Sequence, residues 1–170
     1  MANVIKLRKG LNIHLKGTAA ETKRVVGACT EYVVRPDTFE GVVPKLVTHE
    51  GDRVEVGDAL FVDKNRPEVR FASPVSGTVK AVERGERRKI LGIKLQADEV
   101  QKFHDFGRRD VSTLSADEVK SALLEAGLFG YIYQLPYAVS TNPQTTPKAI
   151  FVSALRDMPL ANNFEYELQG

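Results

Sequence analysis

Pro44-Lys-Leu-Val-Thr-His-Glu-Gly-Asp-Arg-Val-Glu-Val-Gly-Asp-Ala-Leu-Phe-Val-Asp-Lys64, followed by Ala72-Ser-Pro-Val-Ser-Gly-Thr-Val-Lys-Ala-Val82, is the stretch that decides the fold. Two Gly-Asp pairs, Gly51-Asp52 and Gly57-Asp58, lie six residues apart and bracket the alternating run Arg53-Val-Glu-Val56. Glycine takes the positive φ of a tight turn at no steric cost, and an aspartate beside it can accept hydrogen bonds from nearby amides. The pattern therefore predicts short strands joined by tight turns, with a hairpin at Asp63-Lys64. Val54, Val56, Leu60, Val79 and Leu91 are the expected inward faces of two small packed sheets.

Working outward, the same period of two recurs. Leu11, Ile13 and Leu15 alternate with Asn12, His14 and Lys16; Val69 and Phe71 flank Arg70; Leu91, Ile93 and Leu95 alternate with polar residues or glycine. Turn signals separate these runs at Gly10, Gly17, Arg35-Pro-Asp37, Gly77 and Gly85. Many short strands at close spacing predict a small barrel or sandwich over residues 1–103.

The pattern changes over residues 104–170. Ser115-Ala-Asp-Glu118 has the spacing of a capping box, Val119, Leu123 and Leu124 form an apolar stripe, and Gly127 is a natural stop. A helix is expected from Ser115 to Ala126, and a second, short one from Leu128 to Gln134, ended by Pro136. Ala149-Ile-Phe-Val-Ser-Ala154 reads as a buried parallel strand. Such a strand needs neighbours and covering helices, so residues 104–170 are expected to be the truncated start of an α/β domain. Ile150 and Val152 should then dock back on the β-domain or meet another copy. The fold class is α+β.

Composition excludes several functions. The chain has 170 residues, a formal charge of +2 and 27% charged residues, which gives no nucleic-acid footprint and no sign of disorder. No apolar run approaches the ~20 residues that span a bilayer. A single cysteine, Cys29, cannot form an internal disulfide or a zinc site by itself. His14, His49 and His104 are too dispersed to suggest a metal site, and no acid–base or nucleophilic constellation emerges. No catalytic, cofactor-binding or metal residue is assigned. The distinctive surface feature is the basic cluster Arg84, Arg87, Arg88 and Lys89. It is either a contact for a partner or acidic lipid, or a solvated turn offset by Glu83 and Glu86. Lys64, Arg66 and Arg70 pose the same choice.

The Gly-Asp pairs, the hairpin and Ser-Pro-x-Ser-Gly-x-Val resemble the biotinyl/lipoyl-like domain, a barrel-sandwich hybrid. In carriers of that fold a lysine at the hairpin tip holds biotin or a lipoyl group, and only Lys64 matches that place. Lys64 is followed by Asn65-Arg-Pro67 rather than by a small apolar residue, so a surface lysine is the expectation. Ile5-Lys-Leu-Arg-Lys-Gly-Leu-Asn-Ile-His-Leu-Lys-Gly-Thr18, Leu60 to Gly77, Glu83 to Leu91, and Pro147 to Ala154 with Met158-Pro-Leu-Ala161 resemble, in order, the A-type subunit of the sodium-translocating NADH:quinone reductases. Tyr133-Gln-Leu-Pro-Tyr137 departs from that family, where an arginine precedes the proline.

The resemblance implies a peripheral subunit on the cytoplasmic face of the bacterial inner membrane. Its complex oxidises NADH, reduces ubiquinone and exports sodium. Flavins, iron–sulfur centres and quinone would be held mostly by other subunits, leaving this segment a docking and scaffold role with those subunits as partners and ubiquinone as a further candidate partner. A related subunit of an electron-transporting, ferredoxin-dependent complex begins with a similar β-domain and is the alternative, followed by a lipoyl- or biotin-type carrier.

Overall fold

A computed structural model describes residues 16–17, 19–24, 27, 29–152, 161, 166 and 168. The chain divides into two compact units, Ala28–Thr146 on one hand and Met1–Gly27 with Pro147–Gly170 on the other.

In the first unit, β1 (Glu31–Val34), β2 (Pro44–Leu46), β3 (Arg53–Val54), β4 (Ala59–Asp63), β5 (Arg66–Ala72), β6 (Gly77–Arg84) and β7 (Ile90–Ala97) form two sheets. Their orders are β1-β7-β6-β3 and β2-β4-β5, antiparallel throughout. The two Gly-Asp pairs build matching turns. Gly51 and Gly57 have φ of +92° and +101°, and the carboxylates of Asp52 and Asp58 accept from the amides of His49 and Glu55, each at 2.7 Å. Gly77 is required for another reason: a Cβ there would lie 2.0 Å from the carbonyl oxygen of Gln96 on β7.

Inward side chains of both sheets form the core. Val54, Leu60, Val69, Val79, Ile93 and Leu95 are buried, and the rings of Phe61 and Phe71 stack at 4.5 Å. Leu91 was expected inside and is exposed. A register shift between Glu83 and Arg84 pairs Arg84 with Ile90, so Ile90 takes the inward place. Strand patterning reads faces by counting in twos, and a bulge shifts the count by one.

The helix α1 spans Ala116–Glu125 with Ser115 as its N-cap, and both halves of the capping box form. At its end Leu128 N–H reaches Leu123 O at 2.9 Å and Gly127 N–H reaches Leu124 O at 3.2 Å, a Schellman closure around Gly127 at φ +70°. The second helix expected over 128–134 is a 3-10 turn, Phe129–Tyr131, followed by the short pair β8 (Tyr133–Gln134) and β9 (Val139–Ser140). Phe129 is buried, and Gly130 lies so close to Phe71 that a Cβ would sit 2.4 Å from its ring. That docking on β5 replaces helix continuation.

In the second unit, Lys23 Nζ sits 5.4 Å from the ring centroid of Tyr166. The run from Ala149 was expected to be a strand. Its described part, through Val152, is not one, and Ile150, Phe151 and Val152 stand exposed. No described strand pairs with it, and an apolar run alone does not make a ladder. The rest of that run, and the strand expected over Leu11–Leu15, lie outside the described residues.

Candidate functional site

The β6–β7 connection is a tight reversal. Gly85 N–H bonds Lys89 O at 2.8 Å and Lys89 N–H bonds Glu86 O at 3.1 Å, around a 3-10 turn at Glu86–Arg88. Arg87 and Arg88 have φ of +53° and +60°, a left-handed conformation that non-glycine residues rarely adopt. Arg84 lies at the base of the turn and extends Nη1 to Arg88 O at 3.4 Å. Arg84, Arg87 and Arg88 are all exposed.

The structure brings Arg84 and Arg88 together with residues from the other sheet. They line, with Lys89, a surface cleft of ≈420 Å³ whose opposite wall carries Lys45 of β2 and Lys64 at the β4–β5 turn. Arg87 is not part of that lining, and neither are Arg66 and Arg70. Between the cations the lining is apolar: Val43, Pro44, Leu46 and Ile90. Lys45 went unnoticed in the sequence because nothing local links it to residues 84–89.

Asp63 holds the Lys64 wall in place. Its fully buried carboxylate accepts from Arg66 Nε at 2.6 Å, from Asn65 N–H at 3.1 Å and from Val43 N–H at 3.3 Å. Arg66 continues to Ser140 O at 3.0 Å, and Lys64 N–H bonds Val43 O at 2.7 Å. Turn and β2 approach are thus fixed as one piece. Outside the lining, Asp37 is held below the usual carboxylate range, first by the hydrogen bond from Arg35 and to a lesser extent by the charges of Arg35 and Lys89.

Elsewhere the titratable groups make structural pairs. His104 Nδ1 lies 3.0 Å from Asp58 and His49 Nδ1 lies 3.5 Å from Asp52. Cys29 is exposed, and no group of three His, Cys, Asp or Glu among the described residues could hold a metal ion. A smaller, mostly apolar cleft of ≈250 Å³ lies beside α1, with the Arg109–Glu125 pair at 3.4 Å in its lining. Lys64 stands exposed on a two-residue turn. No helix among the described residues is long and apolar enough to cross a membrane.

Comparison with known proteins identifies the frame that carries this cleft. The family model described as the NqrA N-terminal barrel-sandwich hybrid domain matches residues 5–98, more than half of the chain. The chain belongs to the NqrA family. A second model, the NqrA second alpha/beta domain, matches residues 114–170. The α+β reading therefore stands, with a barrel-sandwich hybrid first and an α/β domain after it.

Relatives named as the A-type subunit of the Na(+)-translocating NADH-quinone reductase include that of Yersinia pseudotuberculosis serotype O:1b, 34% identical over 160 residues and 93% of this chain. That of Pseudomonas aeruginosa strain UCBPP-PA14 is 32% identical over the same share. That of Photorhabdus laumondii is 34% identical over 94% of this chain. The chain spans 36% of the length of each of these NqrA relatives.

Proposed function

We propose that this chain serves as the docking and scaffold portion of NqrA in a sodium-translocating NADH:quinone reductase. The complex oxidises NADH, reduces ubiquinone and exports sodium ions, and this subunit sits peripherally on the cytoplasmic face of the membrane. The flavins and iron–sulfur centres that do the electron chemistry are held mostly by other subunits, and ubiquinone stays a candidate partner of this one. The single observation that supports the docking role is the convergence of Lys45, Lys64, Arg84, Arg88 and Lys89 on one cleft built from strands and turns of two sheets. Charged surfaces of this kind steer and orient a partner more than they drive chemistry.

The test is recovery of the tagged full-length subunit from membranes of its source, with mass spectrometry of the eluate. Integral membrane and flavin-bearing subunits should co-purify. A protein recovered alone, with a mass increment of a lipoyl or biotinyl group on Lys64, would overturn the docking reading in favour of a carrier.

A further inference from the structure

The lining of the basic cleft selects its ligand by chemistry. Five cations face it and no carboxylate does. Among the described residues none of the five forms an ion pair, whereas nearby acidic side chains are already engaged: Asp63 with Arg66, Glu83 with Lys94 at 2.7 Å, and Asp37, which also feels the charge of Lys89, with Arg35 at 2.8 Å. A cluster of like charges fixed on two sheets is self-repulsive until an anion enters it.

Three further features narrow the class of anion. The space between the cations is apolar, which an inorganic phosphate would leave uncovered. No aromatic ring lines the cleft, so a nucleobase has nothing to stack on. And β2 is the outermost strand of its sheet. Val43 O and Val47 N bond inward, to Lys64 and Leu60 of the β4 side at 2.7 and 3.1 Å. The alternation of an antiparallel ladder then turns the backbone of Pro44 and Leu46 outward, where no described strand pairs with it. Unpaired strand groups at a sheet edge recruit an extended peptide. A lipid headgroup plane cannot supply that directional pairing.

Pro44 and Lys45 make the edge selective. Proline removes one donor, and a lysine on an edge strand discourages pairing with neutral or basic strands. An acidic strand reverses that repulsion. The geometry points to a docking groove for an extended acidic segment, with interspersed apolar side chains, contributed by another subunit. The segment adds alongside β2 and sets its carboxylates against Lys45, Lys64, Arg84, Arg88 and Lys89. This assignment rests on the docking role proposed above.

The experiment places the photo-crosslinking residue p-benzoylphenylalanine at Lys45 or Lys64 of the full-length subunit in membranes of its source. Glu68, exposed on β5 and outside the cleft, is the control position. Crosslinks from Lys45 and Lys64, well above those from Glu68, should map to an Asp/Glu-rich stretch of another subunit. In parallel, Lys64→Glu with Lys89→Glu should lower retention of the other subunits at least ten-fold in a salt wash. Both lysines are exposed, so circular dichroism should show an unchanged fold.

Crosslinks to lipid, to the chain itself or to a neutral or basic segment overturn the groove assignment. So does a yield no higher than the control, or undiminished retention in the double variant. If the wild-type subunit recovers its partners, any of these results leaves the docking role standing. If the wild type recovers no partner at all, both readings fall together.

Discussion

Asp63 shows what one side chain can do for a surface it never reaches. A fully buried carboxylate is costly unless its charge is met by hydrogen bonds, and here Arg66 and the amides of Val43 and Asn65 meet it. The pair fixes the path of the chain at the base of the cleft wall. Arg66→Ala is expected to destabilise the protein by ~3–5 kcal/mol, the range for stranding one member of a buried pair. Arg66→Lys should recover only part of this, since a lysine lacks the planar fork that joins Asp63 to Ser140 O. Urea unfolding measures both, and a loss below ~1 kcal/mol for the alanine variant would mean the carboxylate is not dependent on Arg66. The sequence places Asp63-Lys64 at the hairpin tip, and the structure agrees. It cannot reveal that Asp63 turns inward, because its partner Arg66 is itself anchored to a carbonyl 74 residues away.

Elements differ in how much of their specification is local. Every partner of the α1 cap lies within three residues, so the helix start could be read directly: Ser115 Oγ accepts from Glu118 N–H at 3.3 Å and Ser115 N–H reaches the Glu118 carboxylate at 2.8 Å. The Glu118 carboxyl is held below its ordinary value, chiefly by the Ser115 hydroxyl, then by the Ser115 amide, with Arg109 a lesser cause. A carboxyl whose folded value is depressed contributes stability above its unfolded value and loses it as pH falls through the folded one. The cap should therefore hold at neutral pH and weaken on acidification below the ordinary carboxylate value of 4.5. The Ser115 amide resonance should titrate below that value in wild type and not in Glu118→Gln. Titration at or above it would contradict the cap geometry. The 3-10 turn after α1 was not legible in the same way. Its course is set by Phe129 and Gly130 meeting Phe71 on β5, and pattern counting sees no such neighbour.

At the level of the whole compact unit, aromatic contacts join β-domain and helical segment into one core. Phe39 lies 4.4 Å from Phe71 and 5.1 Å from Tyr131, while Phe71 stacks on Phe61. The strands and α1 should therefore unfold in a single transition, with near- and far-ultraviolet circular dichroism giving coincident melting curves. Gly130→Ala forces a Cβ against the Phe71 ring and should lower stability by ~1–3 kcal/mol, moving both curves together. A helix signal that melts apart from the rest would refute this coupling. Sequence patterns captured the sheets because alternation is a local property. The meeting of Lys45 and Lys64 with Arg84, Arg88 and Lys89 is a property of how two sheets pack, and no window along the chain contains it. The strand order carries one more implication, for synthesis. Glu31 pairs with Gln96, so β1 has no ladder partner until β7 has emerged from the ribosome. Contacts of such long sequence separation form slowly, and the nascent β-strands wait with apolar faces uncovered. Birth of this protein is therefore its most vulnerable moment, and a chaperone or slow translation after Ala97 would shelter it most.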